Sequence, residues 1–195
     1  MRLVGMGDVV VAVPSAWENS DDPCLTEHGG TVLFLGDQPG YCEAPEPDPS
    51  SLSIAKYGSG ALECGRCLDL GATINGIRVA HGGVGCRRSP RGPCRLTFAA
   101  TKAKVVFRIS YLGPKPDDFA WSVLRSLTEL PAGYTTVPSF GHGSSVEDAK
   151  TVLAKAGLTG ESPEVDWPHY ATGTDPEAGS VVEEGATVEI SIGDG

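Results

Sequence analysis

The sequence predicts an α+β fold, in which a mostly antiparallel sheet and one helix are followed by a smaller unit with one helix and a short hairpin. Short apolar runs with alternating residues, as in residues 8–17 and 103–112, are typical of strands that bury one face. The period then changes to that of amphipathic helices, once in residues 116–130 and again in residues 145–156. About six or seven strands before the first helix place this part of the chain in the α+β class.

The predicted strands of the first part are short and separated by turn residues. Asn75-Gly76 lies between two apolar runs, and this dipeptide is the strongest short signal for a hairpin. The last two runs are expected to pair as a second hairpin across Lys102. The predicted strands comprise residues 8–17, 31–35, 52–57, the two arms of 71–83, 94–101 and 103–112.

The first predicted helix spans residues 116–130. Pro131 and Gly133 are expected to end it, because proline cannot continue a helix and glycine favours the turn that closes one. One helical stripe carries its apolar side chains Phe119, Val123, Leu127 and Leu130.

The C-terminal unit is predicted to be one helix over a small sheet. Ser145 and Asp148 form a capping-box pattern at the helix start, and Gly157 is a C-terminal cap. A core this thin gives a net stability of about 3–5 kcal/mol at most and leaves little room for a catalytic cleft. Such a unit suits repetition, or attachment to something larger as a binding appendage.

A pattern of apolar, proline and glycine residues extends over nearly the whole C-terminal unit. It consists of Val137-Pro138, Ser145, Val146-Glu147-Asp148-Ala149, Leu153, Ala156-Gly157-Leu158, Pro176, Ala178-Gly179, Val182, Gly185, Val188 and Ile190. With this pattern residues 136–195 resemble a PASTA domain, the small module found on penicillin-binding proteins and serine/threonine kinases. The resemblance implies three strands and one helix, a place outside the cytoplasmic membrane of a Gram-positive-type bacterium, and docking to peptidoglycan fragments or stem peptides. It divides the chain into a domain of unknown function at 1–130, a linker at 131–135 and the PASTA domain.

The N-terminal part has a second resemblance, which rests on two short stretches. "VVVAVPSAW" near its start and "WSVLRSL" near its end are similar to uncharacterised exported actinobacterial domains that precede a single PASTA module. Neither stretch implies an activity.

The cysteines favour a disulfide framework in an oxidising compartment. No apolar run approaches the ~20 residues of a membrane span, and the N-terminus lacks the pattern of a signal peptide. We therefore expect an extracytoplasmic protein whose export or anchor segment is absent from this sequence. All six cysteines lie in the first half of the chain, and local spacing favours the pairs Cys24–Cys42, Cys64–Cys67 and Cys86–Cys94.

The C-x-x-C motif at Cys64 and Cys67 leaves three interpretations open. Arg66 inside it would lower a thiol pKa, as in redox sites, but such sites need a helix after the motif. Zinc bound by Cys64, Cys67, Cys86 and Cys94 is a second possibility, although seven residues between the last two are too many for a zinc knuckle. A structural disulfide is the interpretation we favour, and we expect no metal and no cofactor.

Two clusters are candidate ligand-binding sites. The basic cluster Arg87, Arg88, Arg91 and Arg95 suits a phosphate or carboxylate, but we favour the interpretation that it is a solvated loop. The aromatic cluster Trp167, His169 and Tyr170 could stack on a sugar ring or bind another ligand, but we favour the interpretation that it packs against a neighbouring strand.

Charge and motifs limit the function. Residues 135–195 hold eleven acids and two bases, which disfavours nucleic acid and anionic lipid as partners. We expect a non-catalytic wall-associated protein that binds peptidoglycan or a muropeptide. The alternative is a thiol–disulfide or metal-dependent enzyme addressed to the wall, and another exported protein is a further candidate partner.

Overall fold

The computed structural model describes residues 1–20, 30–35, 50–59, 64, 67–86, 94–111, 117–141, 143–164 and 170–193, with the backbone alone for residues 68–71 and 117. Strands make up most of its regular structure, and two short helices complete it, in agreement with an α+β fold. None of the helices in these ranges is long and apolar enough to cross a membrane.

The N-terminal part, residues 1–130, contains eleven described strands and the first helix, α1 (Asp117–Arg125). The strands are β1 (Arg2–Met6), β2 (Val9–Val13), β3 (Glu18–Ser20), β4 (Thr31–Leu35), β5 (Ser51–Lys56), β6 (Leu68–Ile74), β7 (Ile77–His81), β8 (Gly85–Cys86), β9 (Cys94–Ala100), β10 (Val105–Tyr111) and β11 (Thr128–Glu129).

Eight of these strands form the larger sheet, in the order β3-β4-β5-β10-β9-β7-β6 with β8 against β9. Asn75 and Gly76 join β6 to β7 with φ angles of 47° and 84°, which confirms the predicted hairpin. β9 and β10 form the second predicted hairpin, although its turn takes residues 101–104 rather than Lys102 alone. The parallel pairing of β3 with β4 and of β4 with β5 was not predicted.

A smaller sheet, in the order β1-β2-β11, corrects the predicted end of the first helix. The helix stops at Arg125, and Thr128 pairs with Val10 of β2. Ser126 explains the early end, because its hydroxyl donates to the carbonyl of Val123 and accepts from the backbone NH of Ala12. The chain therefore leaves the helix to join a sheet, and the prediction of a helix through residue 130 was wrong.

The main hydrophobic core joins both sheets and α1. Val4 and Val11 come from the small sheet, and Leu124 comes from the helix. Phe98 and Phe107 of the large sheet stack with their ring centroids 4.9 Å apart. This core gives the N-terminal part a rigid body on which other segments can be held.

The C-terminal part, residues 134–193, contains the second helix, α2 (Val146–Lys155), and the strands β12 (Tyr134–Thr136), β13 (Thr159–Glu161), β14 (Tyr170–Asp175), β15 (Val181–Glu183) and β16 (Thr187–Gly193). They form two sheets, in the orders β12-β15 and β13-β16-β14. The predicted hairpin and the expected three strands were wrong, because β15 pairs with β12 while β16 pairs with β13 and β14. Ser145 caps the helix by accepting from the backbone NH of Asp148, as predicted. Gly157 has φ 77° and Leu158 donates its NH to the carbonyl of Leu153, which confirms the C-terminal cap.

Candidate functional site

Most of the predicted ligand-binding residues lie outside the described residues. This applies to Trp167 and His169 of the aromatic cluster and to Arg87, Arg88 and Arg91 of the basic cluster. Tyr170 is described, and it opens β14 with 48% of its surface exposed. Its ring therefore lies on the surface, but the two clusters stay predictions.

The described cysteines form two of the three predicted disulfides. Cys64 pairs with Cys67, whose backbone NH donates to the Cys64 carbonyl at 2.8 Å, and Cys86 pairs with Cys94 where β8 meets β9. The predicted Cys24–Cys42 pair lies outside the described residues.

This pairing bears on the redox and zinc interpretations. The C-x-x-C motif is followed by β6 rather than by a helix, so the site lacks the helix N-terminus that lowers a thiol pKa. The four sulfurs that were considered as zinc ligands are in disulfides, and in the described part of the chain no three Cys, His, Asp or Glu are arranged to hold a metal ion.

Residues Glu177–Ser180 of the C-terminal part contact the N-terminal part, and we name them the docking segment. Its Gly179 carbonyl accepts from the NH of Gly5 in β1 at 3.1 Å, and its Ser180 forms a bridge with Val4. On its other side, Gly179 donates to the carbonyl of Val137 at 2.7 Å. The segment thus covers the edge of β1, where unpaired backbone groups would otherwise be exposed.

The docking segment also enters the core of the N-terminal part. Ala178 is only 5% exposed and belongs to the main hydrophobic core. Gly179 has φ 77°, and a Cβ atom built on it would overlap the ring of Phe34. Glycine is needed here for two reasons, because both the backbone angle and the approach to the ring exclude a side chain.

Hydrogen bonds from polar residues of the N-terminal part also hold the docking segment. Asn19, which is 8% exposed, donates its amide to the carbonyl of Ala178 at 2.6 Å and its backbone NH to the carboxylate of Glu177 at 3.1 Å. Arg2 donates to the Asn19 amide oxygen at 2.6 Å and to the carbonyl of Trp17. Burial lowers the pKa of the Arg2 guanidinium, and the Glu177 carboxylate opposes that shift.

Beside the docking segment lies a cleft with a volume of about 440 Å³, which we name the junction cleft. Both parts of the protein line it. Two buried apolar side chains, Phe34 and Val137, contribute to its wall. Its charged lining residues are Asp8, Lys56, Lys155 and Glu184.

An acidic depression lies elsewhere, on the three-stranded sheet of the C-terminal part. Glu189 in β16 is paired with Glu161 of β13 on one side and with Asp175 of β14 on the other. Like charges at directly paired positions repel each other, so this arrangement opposes the stability of the sheet.

Sequence patterns indicated neither the docking contact nor the cleft. The Pro-x-Ala-Gly stretch at 176–179 was visible as part of a resemblance, but its partners Asn19 and Phe34 are far away in the chain. The one signal that points to a close approach is the glycine at 179, because glycine often marks a position where another group comes near the backbone.

Comparison with protein families identifies the C-terminal part. No curated protein matches the chain. Residues 135–194 match the family model of the PASTA domain, one residue earlier at each end than the resemblance indicated. The C-terminal part of this protein is therefore a PASTA domain.

Proposed function

We propose that this protein is a non-catalytic, extracytoplasmic protein of the cell wall, whose PASTA domain docks on peptidoglycan fragments or their stem peptides. The observation that carries the proposal is the family match at residues 135–194, because PASTA domains bind peptidoglycan-related ligands. The net charge of the domain agrees with a neutral or mixed-charge ligand, since its acids outnumber its bases and repel polyanions.

The disulfides support a place outside the cytoplasm. Pairs such as Cys64–Cys67 and Cys86–Cys94 persist in oxidising compartments and are rare in the reducing cytosol. The two disulfides and the PASTA domain are independent observations, and both fit an exported protein.

The docking segment adds a role for the N-terminal part. Because Ala178 and Gly179 are packed in its core, the PASTA domain is held on the N-terminal part rather than tethered by a free linker. A ligand bound by the PASTA domain would then be presented in a fixed orientation to whatever the N-terminal part contacts. A fixed orientation of the PASTA domain on the N-terminal part is sufficient for a binding role, which requires no catalytic residues.

Cosedimentation with purified peptidoglycan tests the proposal. The full chain is the proper sample, because the docking segment belongs to both cores. We expect the protein to sediment with peptidoglycan that keeps its stem peptides and to stay in solution when the peptides have been removed enzymatically. Equal sedimentation in the two cases, or none in either, would contradict the proposed function.

A separate measurement tests the alternative that the protein is a thiol–disulfide enzyme. If all cysteines are structural, alkylation of the native protein labels no thiol, and mild reduction does not release the Cys64–Cys67 pair ahead of Cys86–Cys94. Selective reduction of Cys64–Cys67, together with turnover of a disulfide substrate, would instead favour a thiol–disulfide enzyme.

A further inference from the structure

We propose that the N-terminal part is a recognition domain for the docking segment, and that it binds this segment from a second copy of the chain as well as from its own. The binding site is a groove between β1 and β3, lined by Arg2, Gly5, Asn19 and Phe34, which we name the edge groove. This recognition goes beyond wall binding and does not depend on it.

The edge groove lies between the outer strands of two sheets. β1 is an outer strand of the small sheet, and β3 is an outer strand of the large sheet. The docking segment contacts both strands, because the NH of Gly5 donates to the Gly179 carbonyl and the NH of Asn19 donates to the Glu177 carboxylate. Addition of an extended segment to a sheet edge is a general mode of peptide recognition, in which main-chain hydrogen bonds provide affinity.

Residues of the N-terminal part hold the groups of the edge groove in position. Arg2 joins β1 to β3, since it donates to the Asn19 amide oxygen at 2.6 Å and to the Trp17 carbonyl at 3.0 Å. Phe34 belongs to the main hydrophobic core. A site whose groups are fixed in advance loses little affinity to their ordering, so the groove suits a ligand that arrives separately.

Three consecutive residues of the docking segment explain its selectivity. Glu177 accepts a hydrogen bond from Asn19 at 3.1 Å, and the Ala178 carbonyl accepts another at 2.6 Å while its methyl group is buried in the core. Gly179 has no room for a side chain, because a Cβ atom would overlap Phe34. The groove therefore selects the sequence Glu-Ala-Gly, which occurs once in the chain.

The hydrogen bonds at the edge groove do not involve the linker. Pro131 and Ala132 are exposed, and the bonds of the groove come from β1, β3 and the docking segment. Thr136 adds one bond outside the groove, from its hydroxyl to the Gly7 carbonyl at 3.2 Å. The segment of a second copy can therefore make the same contacts, although a short linker gives the chain's own segment an effective concentration of about millimolar.

The test is an NMR titration with a peptide of residues 174–182. The receptor is the full-length variant Gly179→Val, whose own segment is excluded from the groove while the groove residues are unchanged. We expect saturable shifts of amide signals from residues 3–6 and 18–20. The wild-type chain should show none, because its own segment fills the groove. A control peptide that carries Gly179→Val should bind at least about tenfold more weakly.

Three outcomes of this titration would overturn the proposal: no saturable shifts in the Gly179→Val chain, equal binding to the wild type, or equal binding of the two peptides. If the Gly179→Val chain does not fold, a full-length wild-type chain with a protease site inserted after Ala132 decides instead. Its two fragments should coelute in size-exclusion chromatography after cleavage. Fragments that separate would overturn the proposal.

A mixture of two full-length variants tests binding to a second copy. Gly179→Val provides an open groove, and Arg2→Ala/Asn19→Ala provides an intact docking segment with a weakened groove. Sedimentation equilibrium should show a heterodimer in the mixture and a monomer for each variant alone. Monomers in the mixture would overturn binding between copies.

Cosedimentation of the wild type with peptidoglycan separates this inference from the proposed function. If the protein sediments but the Gly179→Val chain binds no peptide, the recognition role is wrong and the proposed function stands. If the peptide binds but the protein does not sediment, the proposed function is wrong and the edge groove remains a recognition site.

Discussion

Gly179 of the PASTA domain lies with its backbone against the ring of Phe34, a core residue of the N-terminal part. Two segments that are far apart in the chain therefore share one packed contact. The stability of the PASTA domain and the stability of the N-terminal core are coupled through this contact and through Asn19 beside it.

Replacing Gly179 by alanine tests the contact directly. The new methyl group would overlap Phe34, and the positive φ would be strained, so we expect a loss of about 2–4 kcal/mol in the free energy of unfolding, measured by urea denaturation. The control is Gly185→Ala, which has φ 82° but open space around it and should lose about 1–2 kcal/mol. Equal losses in the two variants would mean that Phe34 does not contact this position.

The buried amide of Asn19 is expected to hold the docking segment. Asn19→Ala removes the bond to the Ala178 carbonyl and leaves Arg2 without one acceptor, which should cost about 1–3 kcal/mol in urea denaturation. The neighbouring exposed residue provides the control, and Glu18→Ala should change stability by less than about 0.5 kcal/mol. An Asn19→Ala protein as stable as the control would contradict the network.

The helix cap at Ser145 should contribute to the stability of the PASTA domain. Ser145→Ala removes the acceptor for the Asp148 NH, and we expect a loss of about 1 kcal/mol. Ser145→Thr keeps a hydroxyl at the same place and should lose less than the alanine variant. If the two variants lose the same amount in denaturant unfolding, the cap does not stabilise the helix.

The acidic depression predicts a substitution that stabilises. Glu189→Gln removes the central one of three carboxylates at paired positions, so unfolding should require about 0.2–1 kcal/mol more at low salt. The gain should shrink as salt is added, because exposed charges are screened. Glu183→Gln is the control, since Glu183 is paired with Tyr134 instead of an acid. A gain that is independent of salt, or equal in the control, would contradict this explanation.

Several local features could be predicted from short stretches of sequence. The turn at Asn75-Gly76, the cap at Ser145 and the helix end at Gly157 each depend on residues within a few positions. The physical requirement in each case, a positive φ or one hydrogen bond to a nearby NH, is met by the local chain. The same holds for the pairing of Cys64 with Cys67.

Other features could not be predicted in this way. The end of α1 at Arg125 depends on Ser126, which serves as an acceptor for the distant Ala12. Leu127 and Leu130 continue the apolar pattern of the helix beyond its actual end. Burial against a core requires apolar side chains whether the backbone is a helix or a strand. The pattern of apolar residues alone did not distinguish the two.

By itself the sequence determined the α+β composition, the local turns and caps, and the presence of a PASTA domain, since each depends on residues that are near one another or on a recognisable pattern. Only the tertiary structure decided that this domain is held on the N-terminal part and that Lys56 and Lys155 line one cleft. The reason is physical: packing and hydrogen bonding between distant segments depend on how the whole chain folds, and no short stretch contains both partners.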